Sequence, residues 1–152
     1  MNKLIISRPL HPADASAAII VTDDGEYLLQ HRDDIENIFY PDYWGLFGGA
    51  VEGNETALEC LYRELGEELG LSNYDASYFM KIELEFIGRG FFFRNFYSIT
   101  IPKAQISDLV LGEGNEMQCF SPHELLSGVR LVPYDAFALW QHVNQDVLMS
   151  GR

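Results

Sequence analysis

This sequence predicts an α/β fold, with a mixed β-sheet packed between helices. Three observations predict it. Apolar, β-branched and aromatic runs recur between turn residues, as strands do. Segments with helix-start signatures and helical apolar spacing fall among those runs. Some neighbouring runs are joined by turns short enough for hairpins, so antiparallel pairs join the interleaved strands and helices. The length of 152 residues suits one domain, 1–152, around a single core.

The first strand is apolar from Ala17 to Val21, "DDG" at 23–25 is a hairpin turn, and Glu26 to His31 returns as the second strand. Residues 33–43 form a polar and aromatic loop that leads through "YPDYW" into "WGLFGGAVEGNET", a stretch with four glycines. A helix starts after Thr56, the N-cap, with Glu59 at N3 completing a capping box and Gly70 as the stop. Leu58, Leu61, Leu65 and Leu69 form its apolar stripe. Residues 77–87 and 91–101 read as strands joined by "GRG", and "EMQCF" at 116–120 as a shorter one. Ser121, Pro122 and Glu124 mark the N-cap, N1 and N3 of a second helix. From Tyr134 to Leu148 the pattern is amphipathic, with Phe137, Trp140, Val143 and Val147 as the apolar face.

Composition narrows the function classes. A net charge of −13 disfavours a broad basic surface for nucleic acid, but not a small phosphorylated ligand bridged by a cation. No segment is long and apolar enough to span a bilayer, and the run Leu4 to Ile6 is too short for a signal peptide. Cys60 and Cys119 show no metal-ligand spacing and suit a reducing compartment, so a soluble cytoplasmic protein is expected.

One stretch of the first helix works against itself. In "RELGEELGL", Glu64, Glu67 and Glu68 stand at i, i+3 and i+4, and their like charges repel by a few tenths of a kcal/mol per pair, roughly. They fall within about 100° of arc beside the leucine stripe, which places them at the edge of the core. Carboxylates there call for a counter-charge, and hard oxygen donors select Mg²⁺, then Mn²⁺. A solvated acidic face is the competing reading. Glu59 and Arg63 are spaced as an i, i+4 pair, and Arg63 can also tether a carboxylate. Tyr43, just before the glycine loop, can stack a base, whereas Trp44 suits core packing.

The glycine loop and the helix together reproduce a longer pattern. Gly49, five residues, Glu55, seven residues, then Arg63-Glu64-Leu65-x-Glu67-Glu68-x-Gly70-Leu71 resembles the Nudix box at every fixed position. The resemblance implies an α/β/α sandwich with a mixed sheet. It also implies hydrolysis of a nucleoside diphosphate derivative with Mg²⁺ or Mn²⁺. On that basis Glu64, Glu67 and Glu68 are the expected metal ligands, joined by the Gly48 carbonyl, while Glu55 and Arg63 orient them. Glu67 and Glu68 can combine ligand and base roles. Some members take the base from a loop outside the box, and here Glu113 and Glu116 are candidates, with Glu116 ranked higher because it adjoins a strand. Arg32 is expected on a phosphate, or else paired with Asp33 or Asp34. Many members carry proline where this chain has Phe47. Two other functions remain open at this point, a nucleotide-sensing module and a prenyl diphosphate isomerase, for which Cys60 beside Glu64 is the thin support. Related proteins are often homodimers, but no interface can be read from the sequence.

Overall fold

A computed structural model of the protein describes residues 12–151; the run Leu4 to Ile6 lies outside them. The strands are β1 (Ala15–Thr22), β2 (Tyr27–His31), β3 (Trp44–Gly45), β4 (Phe47–Ala50), β5 (Ala76–Phe86), β6 (Gly90–Ile101) and β7 (Glu116–Phe120). The helices are α1 (Ala57–Leu69), α2 (Pro122–Leu126), α3 (Pro133–Val143) and α4 (Gln145–Ser150), with a 3₁₀ segment at Lys103–Asp108. Among the described residues no helix is long and apolar enough to cross a membrane.

The sheet has seven strands in the order β3-β2-β1-β6-β5, with β4 on β1 and β7 on β2. It is mixed: β1 and β6 run parallel, and the other pairs are antiparallel. β1 is the axis. Its first half pairs with β4, its second with β2, and its whole length with β6. A strand paired on both edges and covered on both faces must be apolar throughout, and Ala17 to Ile20 are fully buried.

Alternation along β1 divides the core in two. Ala18 and Ile20 face α1, where they meet Leu61, Leu65 and Leu69 of the leucine stripe, with Phe47 and Ile99. Ala17 and Ile19 face the other way, onto Leu29, Phe96, Leu125, Ala138 and Leu139. Helices therefore cover both faces of the mixed sheet, the α/β/α sandwich that the sequence predicts. Phe47, at the position where many Nudix members carry proline, is fully buried against α1.

α1 begins and ends where its sequence says. Thr56 Oγ1 accepts from the Glu59 amide at 3.2 Å, and Glu59 Oε2 accepts from the Thr56 amide at 2.6 Å. Such a cap contributes about 1 kcal/mol. Because Glu59 is committed to the cap, the predicted Glu59–Arg63 pair does not form; Arg63 turns to other acids.

The C-terminal segment differs from expectation. It is two helices broken at Asn144, and of the predicted apolar face only Val143 packs on the core. Phe137, Trp140 and Val147 are largely exposed, while Asp135, Ala138, Leu139 and His142 are buried. The polar members are inside because distant partners satisfy them. His142 bonds Tyr27 Oη through Nδ1 and Ser98 Oγ through Nε2, both at 2.8 Å. Asp135 accepts from the Leu46 amide at 3.0 Å and from Arg94 Nε at 3.0 Å. A buried polar group with full partners costs little, so small apolar residues and paired polar ones win the inner face.

Candidate active site

A cleft of about 740 Å³ opens at one end of the sheet, between α1, the 33–43 loop, the β5–β6 hairpin and the loop before β7. It collects Gly49, Arg63, Glu64, Glu67 and Glu68 from the box, and adds Gly48, Arg32 and Glu113. Its size is that of an ordinary small-molecule site.

The acidic end is built by the meeting of β4 and α1. Ser16 Oγ donates to the Ala57 carbonyl at 2.6 Å, fixing the helix start on β1. Glu68 is almost wholly buried, and its Oε2 accepts from the Gly48 amide at 2.9 Å. Burial pushes its carboxyl up to about 8, with the charges of Glu64 and Glu113 adding to the rise and the Gly48 amide opposing it. Glu64 is also raised, first by burial, and Arg63 opposes that. Gly49 leaves room for this side chain, since a Cβ there would overlap the Glu64 carboxylate.

Arg63 organises the outer side. Its Nε and Nη2 take the Glu55 carboxylate in two-point fashion at 3.1 and 2.7 Å, Nη1 donates to Glu64 at 2.7 Å, and Nη2 reaches the Ala50 carbonyl at 3.0 Å. Glu55 also accepts from the Glu52 amide at 2.7 Å, and Arg63 with these bonds holds its carboxyl down at about 2. Glu67 points outward, with its side chain 60% exposed and 3.4 Å from Arg63 Nη1. Among the described residues no three such side chains already converge on one point. Glu64 and Glu67 lean on Arg63, and Glu68 on Gly48. The set is nonetheless all hard oxygen, partly desolvated and mutually repelling. That is the chemistry of a site for a small dication.

The loop ahead of β7 is tied to the end of α1. The Val110 amide donates to the Leu69 carbonyl at 3.1 Å and the Gly112 amide to the Glu68 carbonyl at 2.7 Å, satisfying helix-end carbonyls. Glu113 is thereby held in the cleft. Glu116 is not among the lining residues; it starts β7 opposite His31, with 3.7 Å between its Oε1 and His31 Nδ1. Of the two acids Glu113 is therefore the one in the cleft, a placement that rests on the loop's bonds to α1, which the sequence does not show.

Arg32 lies in the cleft as expected, and its Nε donates to the Phe39 carbonyl at 2.9 Å rather than pairing with Asp33 or Asp34. Tyr43 does not line the cleft. The Arg130 guanidinium covers its ring at 4.2 Å and Tyr40 abuts it at 5.6 Å. Trp44 stacks on His31 and meets Phe120 edge-on, as core packing requires. Cys60 is fully buried, donates to the Gly49 carbonyl at 3.4 Å, and has its thiol pushed up to about 11 by burial. It does not line the cleft either. Sequence reasoning missed Phe39, Phe86 and Phe92, which also line the cleft. The aromatic content of residues 77–101 was the available signal.

The NUDIX domain profile matches residues 11–149. Over 59 residues the chain is 44% identical to an RNA pyrophosphohydrolase of Halorhodospira halophila, covering 39% of this chain and 29% of that protein. Over 51 residues it is 45% identical to the nucleoside triphosphatase NudI of Escherichia coli, covering 34% of this chain and 36% of that one. The matched stretch is thus about a third of each curated relative's length. The fold superposes on the MutT protein of Methanosarcina mazei with a TM-score of 0.74 at 20% identity, over 92% of this chain and 99% of that one.

Proposed function

The chain belongs to the NUDIX family, and on that premise we propose that it is a divalent-metal-dependent pyrophosphohydrolase acting on a nucleoside diphosphate derivative. Water cleaves the phosphoanhydride and a nucleoside monophosphate or related product leaves. The observation that carries this reading is the intact acidic end of the cleft, with buried Glu68 held on the Gly48 amide and Glu64 seated against Gly49. The names of the two curated relatives, both hydrolases of phosphoanhydrides, support it.

Glu64, Glu67, Glu68 and the Gly48 carbonyl would hold Mg²⁺ or Mn²⁺, which when bound neutralises phosphate charge and acidifies a water. The chain's own groups do the rest. Arg63 is a positioning residue: its grip on Glu55 and the Ala50 carbonyl fixes the arm that steadies Glu64. Arg32 offers its guanidinium to a phosphate oxygen. Glu113 accepts the proton of the attacking water. Glu113→Gln is expected to lower kcat by about 10²-fold or more, and Glu116→Gln to leave it within about twofold. Equal losses in the two variants would remove Glu113 from this role. Two free thiols are consistent with a reducing compartment, the cytoplasm.

The direct test is monophosphate release from sugar nucleotides, ADP-ribose, dinucleoside polyphosphates and nucleoside triphosphates with Mg²⁺. EDTA is expected to abolish release and added Mg²⁺ or Mn²⁺ to restore it. Turnover that survives chelation would overturn the metal role. Tight nucleotide binding without release of any product would make the chain a sensing module instead.

A further inference from the structure

The β5–β6 hairpin is longer than the sheet that supports it. β1 pairs with β6 from Thr22↔Ile101 down to Ala15↔Arg94 and stops there. Beyond that point β5 and β6 continue with only each other, through Leu84↔Phe92 to Phe86↔Gly90. Side-chain alternation sets what this overhang presents. On the face that buries Phe96 in the core, the next outward positions are Arg94 and Phe92, with Leu84 opposite Phe92 and Phe86 beyond. An apolar stripe thus runs off the end of the core and into the cleft.

The 33–43 loop closes the stripe from the other side. It coils through left-handed residues at Asn37 and Tyr40, and Arg32 Nε holds the Phe39 carbonyl between them. The Phe39 ring lies 5.8 Å from Phe86, which lies 5.8 Å from Phe92. Three rings in edge and tilted contact line the cleft together.

Three polar groups beside this wall are already committed. The Arg94 guanidinium is held by Asp135 at 2.9 and 3.0 Å and lies on the Tyr134 ring at 4.6 Å. The Phe93 amide donates to Asp14 and the Phe39 carbonyl accepts from Arg32. The wall itself, made of Phe39, Leu84, Phe86 and Phe92 side chains, offers a ligand only area and π surface.

Resting on the proposed hydrolase reading, we propose that the hairpin overhang and Phe39 form the base subsite. This subsite ranks nucleotides by the area of the base and not by its hydrogen-bonding edge. Purines of either kind bind alike, and pyrimidines bind more weakly.

The test is calorimetric titration of the chain, with Mg²⁺, by AMP, GMP, CMP and UMP, which needs no turnover. AMP and GMP are expected within about fivefold of each other and both tighter than CMP and UMP. Loss of one stacking ring weakens purine binding by about 5- to 150-fold. Phe86→Ala should show that loss and flatten the ranking of bases. Phe86→Leu keeps the apolar volume but loses the π face, so it should flatten the ranking too with an unchanged melting temperature. Phe91→Ala, on the hairpin's exposed face, should change nothing. Full purine affinity in Phe86→Leu would mean apolar contact alone and overturn the proposal. So would AMP and GMP more than about tenfold apart, or no binding of any of the four. A chain that binds purines through this wall yet releases no monophosphate from any anhydride would sink the hydrolase reading and leave the subsite standing.

Discussion

Glu68→Gln is expected to lower kcat by about 10³-fold while making the metal-free protein more stable at neutral and alkaline pH. Both effects have one cause. The Glu68 carboxylate is almost wholly buried, beside Glu64 and Glu113, with the Gly48 amide as its bonded partner. Its folded value, about 8, lies above the ordinary 4.5, so without metal the folded state holds a proton that the unfolded state has released. That contribution to stability is complete below pH 4.5 and is lost as pH rises through 8. The glutamine variant has no such titration. Melting curves after EDTA treatment should therefore match near pH 4.5 and diverge towards pH 8, with the variant higher. Millimolar Mg²⁺ should reverse the order, because a ligand at 100 times its Kd stabilises by about 2.7 kcal/mol only where its site is intact. A variant with normal turnover, or one less stable than the parent in EDTA at pH 8, would contradict the role given to this residue.

The second large effect separates two adjacent glycines. Gly48 has φ +144°, and a Cβ there would overlap the Ser16 carbonyl oxygen and sit 2.8 Å from Ala17 Cα. Those atoms belong to β1, which is paired on both edges and cannot yield. Gly48→Ala is expected to cost more than about 4 kcal/mol, or to give no folded protein. At Gly49 the obstacle is the Glu64 carboxylate, the far end of a flexible side chain. Gly49→Ala should fold, with little change in melting temperature, and lose activity because Glu64 is driven off its seat. Gly66 is the control. It sits inside α1 with open space around a Cβ, so Gly66→Ala should stabilise by about 0.5–1 kcal/mol. Equal behaviour of Gly48→Ala and Gly49→Ala, read by thermal unfolding, would show that the clash with β1 is not decisive.

These glycines also show how far the sequence reaches. Their spacing to Glu55 and Arg63 was legible as a box, but which one guards the fold and which the site depends on a strand some 30 residues earlier in the chain. Likewise the capping box of α1 was readable from Thr56 and Glu59 alone, because an N-cap bond joins residues three apart. The outward turn of Glu67 and the burial of Glu68 were not, since they follow from where β4 lies against the helix.

By itself the sequence determined the order of the five longer strands, the bounds of α1, its leucine stripe and the acidic face beside that stripe. All of these rest on periodicity and on bonds between near neighbours, which any short window contains. Only the tertiary structure decided that the glycine stretch pairs as β3 and β4, which face of α3 is inside, which acid of the 113–116 loop enters the cleft, and that Phe39, Phe86 and Phe92 line the cleft while Tyr43 does not. Those choices depend on partners far apart along the chain. His142 is inside because Tyr27, 115 residues away, takes its ring nitrogen, and Asp135 because Arg94 reaches it across 41 residues. Burying a polar group is cheap only when its partner is already there, and no local pattern records that.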